Sequence, residues 1–355
     1  MRFFHLPDLK SPHTVFLLIL VLSLCIVGTS AERALASQGE DELTAKLVEG
    51  AKKEGQLQWY FSMTVPEADT LAKKFQEKYP FIKVGLYRAN SERLLPRIVA
   101  EDQAKKYVFD VLSAPAMTGE FLKRKNLIAK YLSPQGKYYP QTFKDPEGYW
   151  IASFFLVNIL TYNTRLVPRK DVPKTYEDLL DPKWKGKMVM DTGAFDWFAG
   201  IFKIMGEEKG MQFMKRLSEQ NIQFRSGRTL VTQMVAAGER SIATPVYNQR
   251  VEWLKADGAP IDWVPLEPIV SEVNPPVISA HAPHGNAARL FVDFLLSKEG
   301  QETIASFYRL PTREDVEARV PRAKCKGLKI LPFDSSIGDN YGKYIKLYRE
   351  VLMKK

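Results

Sequence analysis

Cysteine is almost missing from this 355-residue chain, which carries only Cys25 and Cys325. Cys25 lies in an N-terminal apolar run expected to be removed, so the mature chain can form no intrachain disulfide and no cysteine-rich metal or redox site. Histidine is nearly as scarce; past residue 13 only His281 and His284 remain. No G-x-G-x-x-G, no Walker lysine motif, no G-x-S-x-G and no H-E-x-x-H occurs. Nucleotide cradles, nucleophile elbows and zinc-protease helices are therefore without support. Long apolar runs are absent too: the best, residues 15–27, falls short of the roughly 20 residues that cross a bilayer. There is no internal repeat and no low-complexity segment.

What is present begins with an export signal. Arg2 and Lys10 precede the apolar run, and Ala34-Leu35-Ala36 closes it with an A-x-A pattern. Residues 1–36 are expected to be cleaved near Ala36, or after Ala31, leaving the protein in the periplasm; an uncleaved anchor is the alternative. Leu24 stands before Cys25, where a lipoprotein signal needs a small residue. The net charge is +10, with lysines and arginines scattered rather than clustered. That distribution describes a solvated surface, predicts no nucleic-acid partner, and is compatible with a mild attraction for anionic solutes.

At this length, with 45% apolar residues, two lobes are expected. In the first, strands over 57–61, 82–87 and 108–112 each end in a polar loop that leads into a helix. Strand, loop and helix in repetition predict a parallel sheet whose carboxyl ends carry the ligand site. Ser62, Thr64, Ser91 and Ser113 lie at those ends, beside helix N-termini that favour anions. Each hydroxyl could equally cap its own helix.

The stretch 149–190 organises the rest. Residues 151–162 are dense in β-branched and aromatic side chains without Pro or Gly, long enough for a strand reaching more than one layer. Thr175 can cap a short helix over 176–180, Asp181-Pro182 stops it, and a new strand starts at Lys187. In the second lobe, Ser226-Gly227-Arg228-Thr229 leads into a helix and is the leading anion-binding candidate, with a plain capped helix as the alternative. Residues 275–279 read as a second strand between lobes. An amphipathic helix follows Asn286, and a last helix is expected over 341–353.

Several motifs resemble the periplasmic solute-binding proteins of ABC importers, in the group containing the ferric-iron binders. They are Tyr162-Asn163-Thr164, Thr175-Tyr176-Glu177-Asp178-Leu179, the stretch from Asp181 to Lys187, and the segment from Ala287 to Gln301. The resemblance implies a type 2 periplasmic-binding α/β fold of two lobes, each a mainly parallel sheet flanked by helices, joined by two hinge strands. The lobes would divide as 37–152, 153–277 and 278–312 returning to the first, with 313–355 docked on the second. It also implies that Thr192-Gly193 faces the ligand, that the first loop Ser62-Met63-Thr64 does so, and that Tyr247 and Asn248 stand where iron binders carry two adjacent tyrosines.

One tyrosine cannot hold Fe³⁺ unaided, and the first loop has no histidine. Phe154-Phe155 also replaces a polar Ser-Gly-Arg. The expected ligand is therefore a small organic anion, contacted by Ser62, Met63, Thr64, Ser91, Ser113, Thr192, Gly193, Ser226, Arg228, Thr229, Tyr247 and Asn248, with Phe154 or Trp197 as aromatic support. Iron, through Tyr247, is the alternative, and Glu92, Asp191 and Asp196 leave an amine open. No cofactor and no catalytic residue is expected. The partners are an ABC permease and ATPase, and the receptor is expected to be a monomer. An enzyme or a sensor on the same scaffold are the rival classes.

Overall fold

The computed structural model describes residues 42–331 and 340–353, so the expected signal peptide lies outside the described residues. The chain divides into two units, Met1–Gly50, helical where described, and Ala51–Lys355, which holds all the features below. Among the described residues no helix is long and apolar enough to cross a membrane.

The strands in chain order are β1 Gln56–Phe61, β2 Lys83–Arg88, β3 Val111–Ser113, β4 Ile128–Ala129, β5 Phe154–Asn163, β6 Met188–Asp191 and β7 Gln223–Arg225. They continue with β8 Ile242–Tyr247, β9 Ile261–Val264, β10 Ile269–Asn274, β11 Pro276–Ser279, β12 Leu310–Pro311 and β13 Ile330–Leu331. One sheet runs β2-β1-β3-β11-β4, with β1 parallel to β2 and β3, and β11 antiparallel to β3. The other runs β13-β10-β5-β8-β6-β7, with β9 and β12 also on β5.

The second sheet is mixed rather than mainly parallel. β6 is parallel to β7 and β8, but β5 is antiparallel to β8, β9, β10 and β12. β5 arrives from the first sheet, and the strands that return to that sheet lie back along it, which fixes their sense. Being covered by neighbours along its length, β5 is buried at every position but Phe155, which is half-buried. That is why it reads as a nearly continuous apolar run, interrupted at Asn158 and Thr161, rather than as an alternation.

Three passages of chain between the sheets lie together. The Ser153 N–H and hydroxyl both donate to the Asn274 carbonyl, at 3.1 and 2.9 Å. Beyond Pro275 the chain changes partner, from β5 through β10 to β3 through β11. The third passage is β12, where the Thr312 hydroxyl donates to the Ala152 carbonyl at 2.5 Å.

The first sheet is covered by the helices Val65–Lys78 and Gly285–Leu296, where Phe291 packs edge-on against Trp59 and Phe75 at 4.9 Å. In the second, the helix Phe195–Met205 presents Phe195 and Phe198 edge-on to Tyr348 of the terminal helix Tyr341–Tyr348. The Tyr348 hydroxyl donates to the Asp191 carbonyl, tying the tail to the end of β6. The third strand begins at Val111, not at residue 108. The buried Asp110 carboxylate instead accepts from the Gln58 N–H and from the His284 N–H, each at 2.7 Å.

Candidate functional site

A cleft of about 1100 Å³ is lined by loops at the carboxyl ends of β1 and β2 and by elements of the second sheet. Ser62, Met63 and Thr64 lie between β1 and the helix Val65–Lys78, and Asn90 and Ser91 open the helix Ser91–Gln103. Thr64 is already engaged. Its hydroxyl and N–H donate to Glu67 at 2.7 and 3.1 Å, closing the first turn. Arg309 grips the same carboxylate through Nε and Nη2, at 3.2 and 2.9 Å. Burial alone would raise the Glu67 carboxyl, but Arg309 and Thr64 outweigh it and hold it below its usual range.

The second wall centres on Arg228, the first residue of the helix Arg228–Ala236, only 7% exposed. Its Nη2 donates to Asp196, and the Asp191 and Glu272 carboxylates stand 3.9 Å away. Its guanidinium lies 4.1 Å from the centre of the Tyr247 ring, whose hydroxyl donates to Glu272 at 3.1 Å. Burial opposes the Arg228 charge, but its acidic neighbours, Asp196 first, keep it firmly protonated. Burial, then Asp196, pushes Glu272 up to about 8, and burial lifts Tyr247 well above the phenol range. Tyr247 is therefore held as a neutral phenol.

This geometry corrects the expectation for Ser226 to Thr229. Gly227, at φ 102°, turns its N–H onto the Asp191 carboxylate at 2.7 Å, and Gly193 donates to the same oxygen at 3.2 Å. The anion that this turn receives is the protein's own Asp191. Arg228 is likewise taken by Asp196, so the leading anion candidate is filled from within.

Of the expected contacts, Ser62, Met63, Thr64, Ser91, Gly193, Ser226, Arg228, Thr229 and Tyr247 line the cleft. Ser113, Thr192 and Asn248 do not. The Ser113 hydroxyl is buried and accepts from Trp59 Nε1 at 2.9 Å. Thr192 donates its N–H to the Arg225 carbonyl. Asn248 is fully buried and donates to the Ala323 carbonyl at 3.0 Å. Phe154 lines the cleft, under the Arg309 guanidinium at 4.3 Å, whereas Trp197 is buried in the core near Tyr176. His284 is bound to Asp110 and His281 packs on Tyr107; neither reaches the cleft.

Sequence reading missed Glu272, Asn274, Arg250, Trp253 and Arg309, all of which line the cleft. For Glu272 the signal was an acid inside the strand IVSEVN. For Arg250 and Trp253 it was spacing by threes after Tyr247. Among the cleft's polar atoms, Arg228 Nε and Nη1, Gln249 Oε1, Arg250 Nε and Asn274 Oδ1 are buried without a hydrogen-bond partner in the protein. Such groups normally find a partner, so these are the places where a ligand gains most. No group of three or more His, Cys, Asp or Glu suited to a metal ion occurs among the described residues.

The family of bacterial extracellular solute-binding proteins matches residues 108–334. This chain belongs to that family. Membership implies a small-molecule ligand and ABC transporter partners, and the family and the fold neighbours are binding proteins, not enzymes. An uncharacterised protein of Haemophilus influenzae is 29% identical over 270 residues, covering 71% of this chain and 76% of its own. The periplasmic binding protein AfuA of Actinobacillus pleuropneumoniae, solved with exogenous fructose-6-phosphate bound, superposes with a TM-score of 0.76 at 26% identity, covering 85% of this chain and 99% of its own. Iron-bound HitA of Pseudomonas aeruginosa gives 0.75 at 22% identity, covering 83% of this chain and 99% of its own, which speaks to the fold alone.

Proposed function

We propose that this protein is exported with cleavage near Ala36, acts as a monomer, and captures a small hydroxylated organic anion for delivery to an ABC permease and its ATPase. The observation that carries this reading is the set of unpartnered buried groups. Arg228 offers two donor nitrogens, Nε and Nη1, and Asn274 a carbonyl acceptor, both residues more than nine-tenths buried on one cleft. A ligand with hydroxyl groups can both accept from the first and donate to the second, whereas a bare metal ion could be held by the Asn274 carbonyl oxygen but cannot accept from the Arg228 cation.

Tyr247 points the same way. A ferric site draws on phenolates, but here the phenol donates to Glu272 beneath a guanidinium. Three lining arginines, Arg88, Arg250 and Arg319, have no carboxylate partner within 4 Å among the described residues, which favours a ligand of negative charge. AfuA, with fructose-6-phosphate bound, supplies a precedent for such a ligand on a related chain. Walls from both sheets border the cleft, so a ligand that touches both favours a closed form.

The test is calorimetric titration of the mature protein with fructose 6-phosphate, gluconate, citrate and ferric citrate, with X-ray scattering to follow compaction. Binding of a hydroxylated anion with a smaller radius of gyration supports the reading. Response to ferric citrate alone, with a coloured complex lost in Tyr247→Phe, would replace it with iron capture. Turnover of a bound compound would make the protein an enzyme instead.

A further inference from the structure

We infer that the acid group of the ligand binds at Arg250, with its carbon frame against Trp253, and that Arg228 receives only neutral oxygens. This rests on the reading of the cleft as an organic-anion site and states where within it the charge is placed.

The helix Asn248–Ala256 has one face toward the cleft and another toward the core. Tyr247, Arg250, Trp253 and Ala256 line the cleft at intervals of three, with Gln249 and Asp257 beside them, whereas Asn248, Val251 and Glu252 are buried behind it. Spacing by threes keeps the first set on neighbouring turns. A rise of about 1.5 Å per residue places Trp253 roughly 9 Å along the axis from Tyr247, with Arg250 midway. A ligand lying along this face meets the Tyr247–Glu272 pair at one end, the Arg250 cation next, and the Trp253 ring beyond.

The two arginines differ in what surrounds them. Arg228 has Asp196, Asp191 and Glu272 within 4 Å. A second anion there would sit among three carboxyl groups. Arg250 makes no ion pair among the described residues. It lies 4.2 Å from the centre of the Trp253 ring, and its Nε is buried without a partner. The carboxylates that act on it through space are Glu67 and Asp257, and Glu67 is already bound by Arg309 and Thr64. Burial lowers its pKa from the usual value, and those two acids do not fully offset that cost. An incoming carboxylate or phosphate would supply the missing partner, in the two-pronged geometry that a guanidinium favours. Trp253 already stacks on this guanidinium and remains 42% exposed, so it offers an apolar surface next to the charge.

The ligand class that follows is a short polyol bearing a terminal phosphate or carboxylate. Fructose 6-phosphate and gluconate represent the two acid groups, and fructose is the uncharged control. Trp253 also provides a reporter. Of the six tryptophans, the other five are 7% exposed or less, so a ligand at this subsite changes the emission of Trp253 above all.

The experiment titrates these compounds into wild type, Arg250→Gln, Arg250→Lys and Trp253→Leu, by calorimetry and tryptophan emission. Melting curves without ligand establish that each variant is folded. The expected result is a loss of at least about tenfold in affinity for the acid-bearing compound in Arg250→Gln, consistent with the worth of a charge-assisted pair, and a smaller loss in Arg250→Lys. The emission change vanishes in Trp253→Leu. If wild type binds the anion but Arg250→Gln stays within twofold, the subsite is wrong while the organic-anion reading stands. If wild type binds neither acid, the subsite is wrong, and if it does not bind citrate either, the organic-anion reading falls with it.

Discussion

Ser153 and Asn274 join two of the three chain passages between the sheets: one carbonyl, that of Asn274, accepts from both the N–H and the hydroxyl of Ser153. The Asn274 side chain lines the cleft with its Oδ1 unpartnered. The crossover and the floor of the site are thus one structure, and a ligand bound to Asn274 presses on the bend itself. Ser153→Ala removes the hydroxyl bond and keeps the backbone bond. The expected cost is about 1 kcal/mol, read from urea unfolding. An unchanged midpoint would mean that the hydroxyl does not help to hold the crossover.

Arg228 is the counter-charge for the second wall, and its removal should be costly. Arg228→Met leaves Asp196, Asp191 and Glu272 facing one another without a cation, at an expected cost of about 3–5 kcal/mol. Adding Asp196→Asn to Arg228→Met should recover part of that loss, because it removes the closest orphaned carboxylate. A double-mutant cycle on thermal unfolding checks this, and strict additivity would mean the pair does not act as a unit.

Much of the frame could be read in the sequence, and most of the charge partners could not. The run 151–162 announced β5, and the amphipathic helix expected after Asn286 is the helix Gly285–Leu296. The position of Arg228 at a helix start was also legible. Its partners were not, because Asp191, Asp196 and Glu272 come from β6, a helix and β10, and only folding brings them together. Ser113 shows the same limit: a hydroxyl at a strand end looks free until Trp59, 54 residues earlier, is found to occupy it.

Asp293 gives stability a dependence on pH. Tyr131 and Ser133 donate to its carboxylate at 2.6 and 2.5 Å, yet burial dominates and pushes it up to about 6 from 3.8. Since the folded state holds this proton more tightly, the contribution is full below about pH 4 and lost as pH rises through 6. A shift of this size corresponds to about 3 kcal/mol. Asp293→Asn should flatten that part of the stability profile between pH 4 and 6. A profile of unchanged slope would place the proton elsewhere.

Gly300 sits just past the junction of the helices Gly285–Leu296 and Lys298–Ser306, where its N–H donates to the Ser297 hydroxyl at 3.2 Å. A Cβ on this residue would fall 2.1 Å from the Phe294 carbonyl oxygen and 3.0 Å from that of Leu295. Both obstacles are backbone, so neither can swing aside. Gly300→Ala should therefore cost about 1–3 kcal/mol by overpacking and lower the melting temperature by several degrees. Gly206→Ala offers a contrast: nothing lies within 4 Å of its Cβ, but its φ of 82° makes the strain purely one of backbone.

Cys325, the one cysteine in the sequence beyond Cys25, is buried, and that burial, with Glu267 nearby, pushes its pKa to about 11. A thiol that is both covered and protonated reacts slowly, because the thiolate is the nucleophile. Ellman's reagent at pH 8 should label the native mature protein far more slowly than the same protein in urea. Its position makes the rate informative, since Cys325 packs in the cluster that holds Val246, Val251 and Ala323, behind the helix that carries Arg250 and Trp253. Ligand held in excess should slow labelling further by stabilising that helix against local opening. Fast labelling of the native protein would show that this segment opens readily, and that the helix is not the rigid platform that an anion at Arg250 requires.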